Sequence, residues 1–173
     1  MFNGVRKYMG YLKFSVALLL LVFLSNCKSS AIDQDFAFNS QEIAFFHTVG
    51  EGKISGEVIP ELPAADRIYF KNRTVLLVPA GQYANERVKL LFGKDKFTRG
   101  FTRLQDADPE YLRCTKQIKM TEEDKFTFSE LSDGDYHILV DFHWEEGGLT
   151  HQGYLRSFVQ IRDGEEQHLI ITG

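Results

Sequence analysis

The chain has 173 residues, of which 43% are hydrophobic and 25% charged, and its net charge is −4. That balance is ordinary for a globular protein and excludes global disorder. An acidic chain repels phosphate backbones and anionic head groups, so neither nucleic acid nor electrostatic membrane adhesion is expected.

The first 13 residues carry Arg6, Lys7 and Lys13 and no acid. Phe14 to Leu24 (FSVALLLLVFL) follows as a run of 11 residues, apolar except for Ser15. A spanning helix needs roughly 20 apolar residues, whereas a signal-peptide h-region needs about 7–15. The run is therefore read as a signal peptide over residues 1–26. The next stretch, Leu24-Ser25-Asn26-Cys27, resembles the lipobox of bacterial lipoproteins, with Asn26 in place of the usual small residue. The resemblance implies cleavage before Cys27 and acylation of that residue. An ordinary signal peptide cut nearby and an uncleaved anchor stand as alternatives. Under the enterobacterial sorting rule, Lys28 rather than Asp after the lipidated Cys implies delivery to the outer membrane, facing the periplasm.

Residues 27–42 read as a lipidated tether, rich in Ser, Asp, Gln and Asn. Phe36 and Phe38 are unusual there, and either dock on the domain or open a strand. The domain is assigned to residues 43–173, a length suited to one hydrophobic core. Phe is abundant at 15 and Pro scarce at 4, which favours strands. Ile43 to Val49 is apolar enough for a first strand. Gly52 to Ile59 alternates with Ile54 and Val58 on one face. Ile68-Tyr69-Phe70 and Thr74 to Val78 predict two strand pieces with a bend between, ended by Pro79. Ala80 to Phe92 predicts a helix, with Ala84, Val88 and Leu91 on one face and Gly93 as its stop. Lys94 to Gln105 has no periodicity and reads as a surface loop. Asp108-Pro109 is an N-cap followed by Pro at the first helical position of a short turn.

Arg113 to Met120 alternates, with Cys114, Ile118 and Met120 on one side. Lys125 to Phe128 is a short strand and Ser132-Asp133-Gly134 a tight turn in which Gly supplies a positive φ. From Tyr136 to Trp144 the odd side of the alternation (His137, Asp141, His143) opposes Tyr136, Ile138, Val140, Phe142 and Trp144. After a turn at Glu145 to Gly148 come a strand over Tyr154 to Ile161, a hairpin turn at Arg162 to Glu165, and a last strand over His168 to Ile171. The pattern predicts a mainly β protein: an antiparallel sandwich of about seven strands with one helical and loop insertion.

Within it, Phe126, Phe128, Leu131, Gly134, Tyr136 and Ile138 form F-x-F-x-x-L-x-x-G-x-Y-x-I. This resembles the signature of carboxypeptidase-regulatory-like domains, which implies a transthyretin-like (prealbumin-like) sandwich. Gly52 to Ile54 and the Val75-Leu76-Leu77-Val78 run fit the first strands of that family. The stretch also resembles a group of uncharacterised bacterial lipoproteins with a D-P-E/R-x-L run and a later Trp strand. Neither resemblance implies an activity. The motif itself reads as a hairpin core.

Candidate sites are few. His137, Asp141 and His143 share a sheet face, with His151 across the next hairpin, and two His with one Asp can bind a divalent metal. The alternative is a solvated face, which alternation requires anyway. Glu122-Glu123-Asp124 and Glu145-Glu146 sit at turns, where carboxylates solubilise rather than catalyse. No G-x-S-x-G elbow, P-loop or G-x-G-x-x-G is present. Cys114 reads as a small half-buried apolar side chain. Trp144, Tyr154, Tyr111 and Tyr83 are candidates for a sugar or peptide surface. Arg87, Lys89, Lys94, Lys96, Arg99 and Arg103 concentrate cations in the insertion over residues 80–108, a long segment of the kind that carries function. The expectation is a lipid-anchored, non-enzymatic protein without cofactor, whose sandwich contacts an envelope protein partner. A carbohydrate- or small-ligand-binding module is the alternative, and a metal-binding domain trails.

Overall fold

The computed structural model describes residues 36–59, 61, 73–100, 104, 106–121 and 123–173, and the backbone of 67–69. The signal peptide, Cys27 and the tether up to residue 35 lie outside the described residues, as do Phe70, Lys71, Asn72, Arg103 and Glu122.

Among the described residues nine strands form two sheets. In chain order they are β1 (Gly52–Ile59), β2 (Arg67–Tyr69), β3 (Thr74–Pro79), β4 (Phe97–Arg99), β5 (Lys116–Lys119), β6 (Lys125–Leu131), β7 (Gly134–Glu146), β8 (Leu149–Ile161) and β9 (Glu166–Thr172). Helix α1 (Gln82–Phe92) follows β3, and α2 (Pro109–Arg113) precedes β5. The smaller sheet has the order β6-β1-β9 and the larger β4-β8-β7-β3-β5, with β2 added beside β7. The protein is thus a mainly β sandwich. Its pairs are antiparallel except one: β9 lies parallel to β1, with Ile54 opposite Gln167 and Val58 opposite Ile171.

The core between the sheets follows from period-two alternation. Ile54 and Val58 from β1, Phe126, Phe128 and Leu131 from β6, and Ile171 from β9 meet Val75, Leu77, Tyr136, Ile138, Val140, Phe142 and Trp144 from the larger sheet. Trp144 stacks on Phe142 at 5.4 Å and is almost fully buried. Five successive residues of β7, Tyr136 to Val140, are buried. Alternation alone would leave every second one in water, so both faces of this strand are covered. The cover is α1. Tyr83, Ala84, Val88 and Phe92 pack with Tyr111 on Val78 and Leu139.

Helix α1 begins after Gly81, which offers no capping side chain. Glu42 Oε2 accepts from the Gln82 amide at 2.7 Å instead, placing a carboxylate at the positive end of the helix. Glu42 belongs to a 3₁₀ helix over Ser40–His47, kinked at Ile43. This corrects the strand expected over Ile43 to Val49. Asn39 starts the turn by accepting from the Gln41 amide, and the turn sends Ile43 into the α1 side while Phe45 sits edge-on to Tyr136 at 5.6 Å. Phe36 and Phe38 dock, each 5.6 Å from the Tyr83 ring.

Three further differences concern connections. The surface loop expected over Lys94 to Gln105 contains β4, which pairs with β8 from Phe97↔Leu155 to Arg99↔Gly153. The Arg162 to Glu165 turn, with Asp163 at φ 53° and Gly164 at φ 68°, closes no hairpin. It carries the chain from β8 in one sheet to β9 in the other. The Ser132–Gly134 turn likewise joins β6 and β7 of different sheets, so the F-x-F…G-x-Y-x-I run is an inter-sheet corner rather than a hairpin core. Tyr136 locks it by donating its hydroxyl hydrogen to Ser132 O at 2.7 Å, as in the tyrosine corners of other sandwiches. Gly134 is not in the left-handed region; the positive φ in this corner belongs to Glu130 at 56°. Gly134 is required because a Cβ there would lie 2.1 Å from the Phe45 ring.

Candidate ligand groove on the outer face of the larger sheet

The insertion between β3 and β5 does not lie flat on the sheet. Helix α1 covers one part of the outer face, and the segment running into α2 covers another. Asp108 caps α2 by accepting from the Glu110 amide at 2.7 Å, and its own amide donates to Tyr83 Oη at 2.9 Å. Pro109 at the first helical position then fixes the turn. Between the two lies a groove of about 440 Å³.

Its floor is the sheet: Leu76 of β3, Leu139 of β7 and Tyr154 of β8. These are the outward residues of their strands. Alternation assigns them to the polar face, and their apolar character is the one signal in the sequence that something covers that face. Leu91 and Val88 of α1 form one wall, Leu104, Ala107 and Tyr111 the other. The charged groups are on the rim, Arg87, Arg99 and Asp106, while Thr98 is a buried polar lining residue. Arg87 lies over the rings of Tyr83 and Tyr111 at 5.6 and 5.9 Å. Burial raises the Tyr111 hydroxyl to about 12 and shifts Tyr154 upward as well, so both are neutral donors at neutral pH. The arrangement is a concave, mainly apolar surface with two phenols and a few convergent polar groups, the form that small-molecule sites take.

The other sequence candidates are placed as follows. Trp144 faces the inner core, with Nε1 donating to Glu146 Oε2 at 3.2 Å and Arg99 over its ring at 5.5 Å. Tyr83 is buried behind Tyr111. Of the four aromatics, therefore, Tyr111 and Tyr154 reach the groove. Of the insertion cations, Arg87 and Arg99 line it; Lys89 pairs with Glu86, and Lys96 lies elsewhere.

The metal candidates do not converge. His137, Asp141 and His143 share the outer face but each is held separately. His137 is buried under α1, with Nε2 2.7 Å from Asn85 Oδ1. Asp141 accepts from the Thr74 amide at 3.0 Å. Burial and the Arg73 charge hold His143 below its ordinary pKa. His151 sits opposite Trp144 and stacks on it, so it belongs to the other face. Among the described residues no three His, Cys, Asp or Glu side chains gather closely enough for a metal. At His137 the face is buried rather than solvated, whereas Asp141 and His143 are partly exposed. Cys114 is buried rather than half-buried, with Sγ 3.7 Å from His47 Nε2. Burial raises its thiol pKa, which suppresses the thiolate.

No family model and no curated protein matches the chain. Among solved structures it is similar to a "putative carbohydrate binding protein" from Pseudomonas aeruginosa, at 20% identity and a TM-score of 0.66, over 80% of this chain and 99% of that one. That likeness establishes the sandwich fold.

Proposed function

We propose that the protein is an envelope lipoprotein, anchored through Cys27, whose sandwich is a non-catalytic binding module for a small carbohydrate-type ligand. The observation that carries the binding role is the groove: an open concavity of about 440 Å³ made by the insertion, with Tyr111 and Tyr154 inside it and Arg87, Arg99 and Asp106 at its rim. Sugars present apolar C–H faces and hydroxyl edges, which aromatic rings and polar rim groups match respectively. The sandwich shared with a protein described as a "putative carbohydrate binding protein" supports the same reading. The corner motif at Phe126 to Ile138 supports a carboxypeptidase-regulatory-like, transthyretin-type ancestry, in keeping with a module that holds rather than transforms. The test is a glycan array followed by calorimetry. A hit is expected to lose about tenfold in affinity (~1.4 kcal/mol) on Tyr154→Ala, measured at a temperature where the variant is folded. Equal affinity of the variant would place the ligand elsewhere.

A further inference from the structure

Strand β4 covers only part of the exposed edge of β8. Its pairing ends at Leu155, where the Arg156 amide donates to Lys96 O at 2.8 Å. Beyond that, the side of Ser157 to Ile161 that faces away from β7 pairs with no strand among the described residues. The Gly100 amide bonds Gln152 O and the Arg156 amide bonds Lys96 O, so the even-numbered residues of β8 direct their backbone groups outward. By the alternation of an antiparallel ladder, the N–H and C=O groups of Phe158 and Gln160 face the vacant position. Across the side of the sandwich, β9 is also an edge strand.

Natural edges are blunted with charge, proline, bulges or brevity. Three of the other edges follow the rule: β5 carries Lys116 and Lys119, β6 carries Lys125 and the left-handed Glu130, and β4 has three residues. The Ser157–Ile161 segment (SFVQI) has none of these protections. Phe158 is 50% and Ile170 59% exposed, and both line a side cleft of about 350 Å³ with Lys96, Arg156 and His137. Among the described residues no carboxylate lines that cleft, in an acidic chain. His137 Nδ1 is buried there without a hydrogen-bond partner.

We infer that the β8 edge at Ser157–Ile161 is a docking site for an extended peptide segment of a partner protein, apolar in character and bearing a carboxylate at its C-terminal end. The strand takes the line of β4 and runs antiparallel to β8, pairing with Phe158 and Gln160. That direction brings its C-terminal end to Lys96 and Arg156. The carboxylate is either a side chain or the chain terminus.

The test uses the full chain in detergent and fluorescence anisotropy with labelled Thr/Val hexapeptides of alternating sequence. One probe has a free C-terminus, one an amidated C-terminal Glu, one is amidated and neutral, and one is N-methylated at alternate residues. One or both acidic probes are expected to bind at least about tenfold more tightly than the neutral one, and N-methylation to abolish binding. Which acidic probe wins distinguishes a terminal from a side-chain carboxylate. Gln160→Pro removes an outward N–H without breaking a backbone bond to β7, at the loss of the exposed side-chain bond from Gln160 to Asp135, and is expected to weaken binding about tenfold or more. Lys96→Glu and Phe158→Glu, both at exposed positions, should do the same if the proline variant fails to fold. The inference is overturned if no probe binds by ~1 mM, if acidic and neutral probes bind alike, or if the folded variants bind as the parent does.

Discussion

At the scale of single residues, burial decides what a side chain does. His137 is the clearest instance. Its position on the polar parity of β7 invites a role as a ligand or a solvated base, yet α1 closes over it. Burial first, and then the charge of Arg156, lowers its pKa from 6.5 to about 4. The folded state therefore holds it neutral, while the unfolded chain protonates it near 6.5. As pH falls from about 6.5 toward 4 the unfolded state gains the proton first, so stability declines across that window. At pH 5 the penalty relative to pH 7 is about 2 kcal/mol. Urea unfolding at the two pH values is expected to reveal it, and His137→Gln to remove most of the difference. An identical pH slope in the variant would place the loss on other groups.

At the scale of elements, the connections carry more information than the strands. Two turns that look like hairpins in sequence are crossings between sheets. They are tied to each other: the Asp133 carboxylate accepts from the amides of Asp163 at 2.8 Å and Gly164 at 2.9 Å. Arg162 binds Asp135 beside them, an exposed pair worth at most about 1 kcal/mol. The 3₁₀ helix closes the same end of the sandwich, with Phe45 against Gly134 and Ser132 Oγ donating to Thr48 O. Gly134→Ala is thus expected to cost roughly 1–3 kcal/mol through overpacking against Phe45, measured by thermal or urea unfolding. A double variant with Phe45→Ala should lose less than the sum of the two single changes, because the clash is gone. Additivity would mean that the glycine serves some other need.

For the whole molecule, the insertion between β3 and β5 makes the difference between a bare sandwich and one with a groove. It buries the outer face of β7 and leaves a concavity where α1 and the segment before α2 part. The docking of Phe36 and Phe38 on Tyr83 also matters to the proposed anchor. Only eight residues, 28–35, separate Cys27 from Phe36, an extended reach of at most roughly 30 Å. An anchored domain would stay close to its membrane. Cys27→Ala is expected to move the protein from the membrane pellet to the soluble fraction on cell fractionation. Retention in the pellet would exclude the lipid as the anchor.

The inner core was legible because it obeys local rules. Period-two alternation in Gly52–Ile59 and Tyr136–Trp144, helical spacing in Gln82–Phe92, and the Asp108-Pro109 cap all depend on neighbours in sequence, so residue order alone determines them. The parallel partnership of β9 with β1, the crossings at Ser132–Gly134 and at Asp163-Gly164, and the burial of His137 depend on which segment arrives from far along the chain. So do the separation of His137, Asp141 and His143 and the meeting of Tyr111 with Tyr154 across the groove. A turn sequence specifies a reversal of direction, but not whether the returning strand joins the same sheet or the facing one. That choice rests on the packing of two faces at once, and only the tertiary structure makes it.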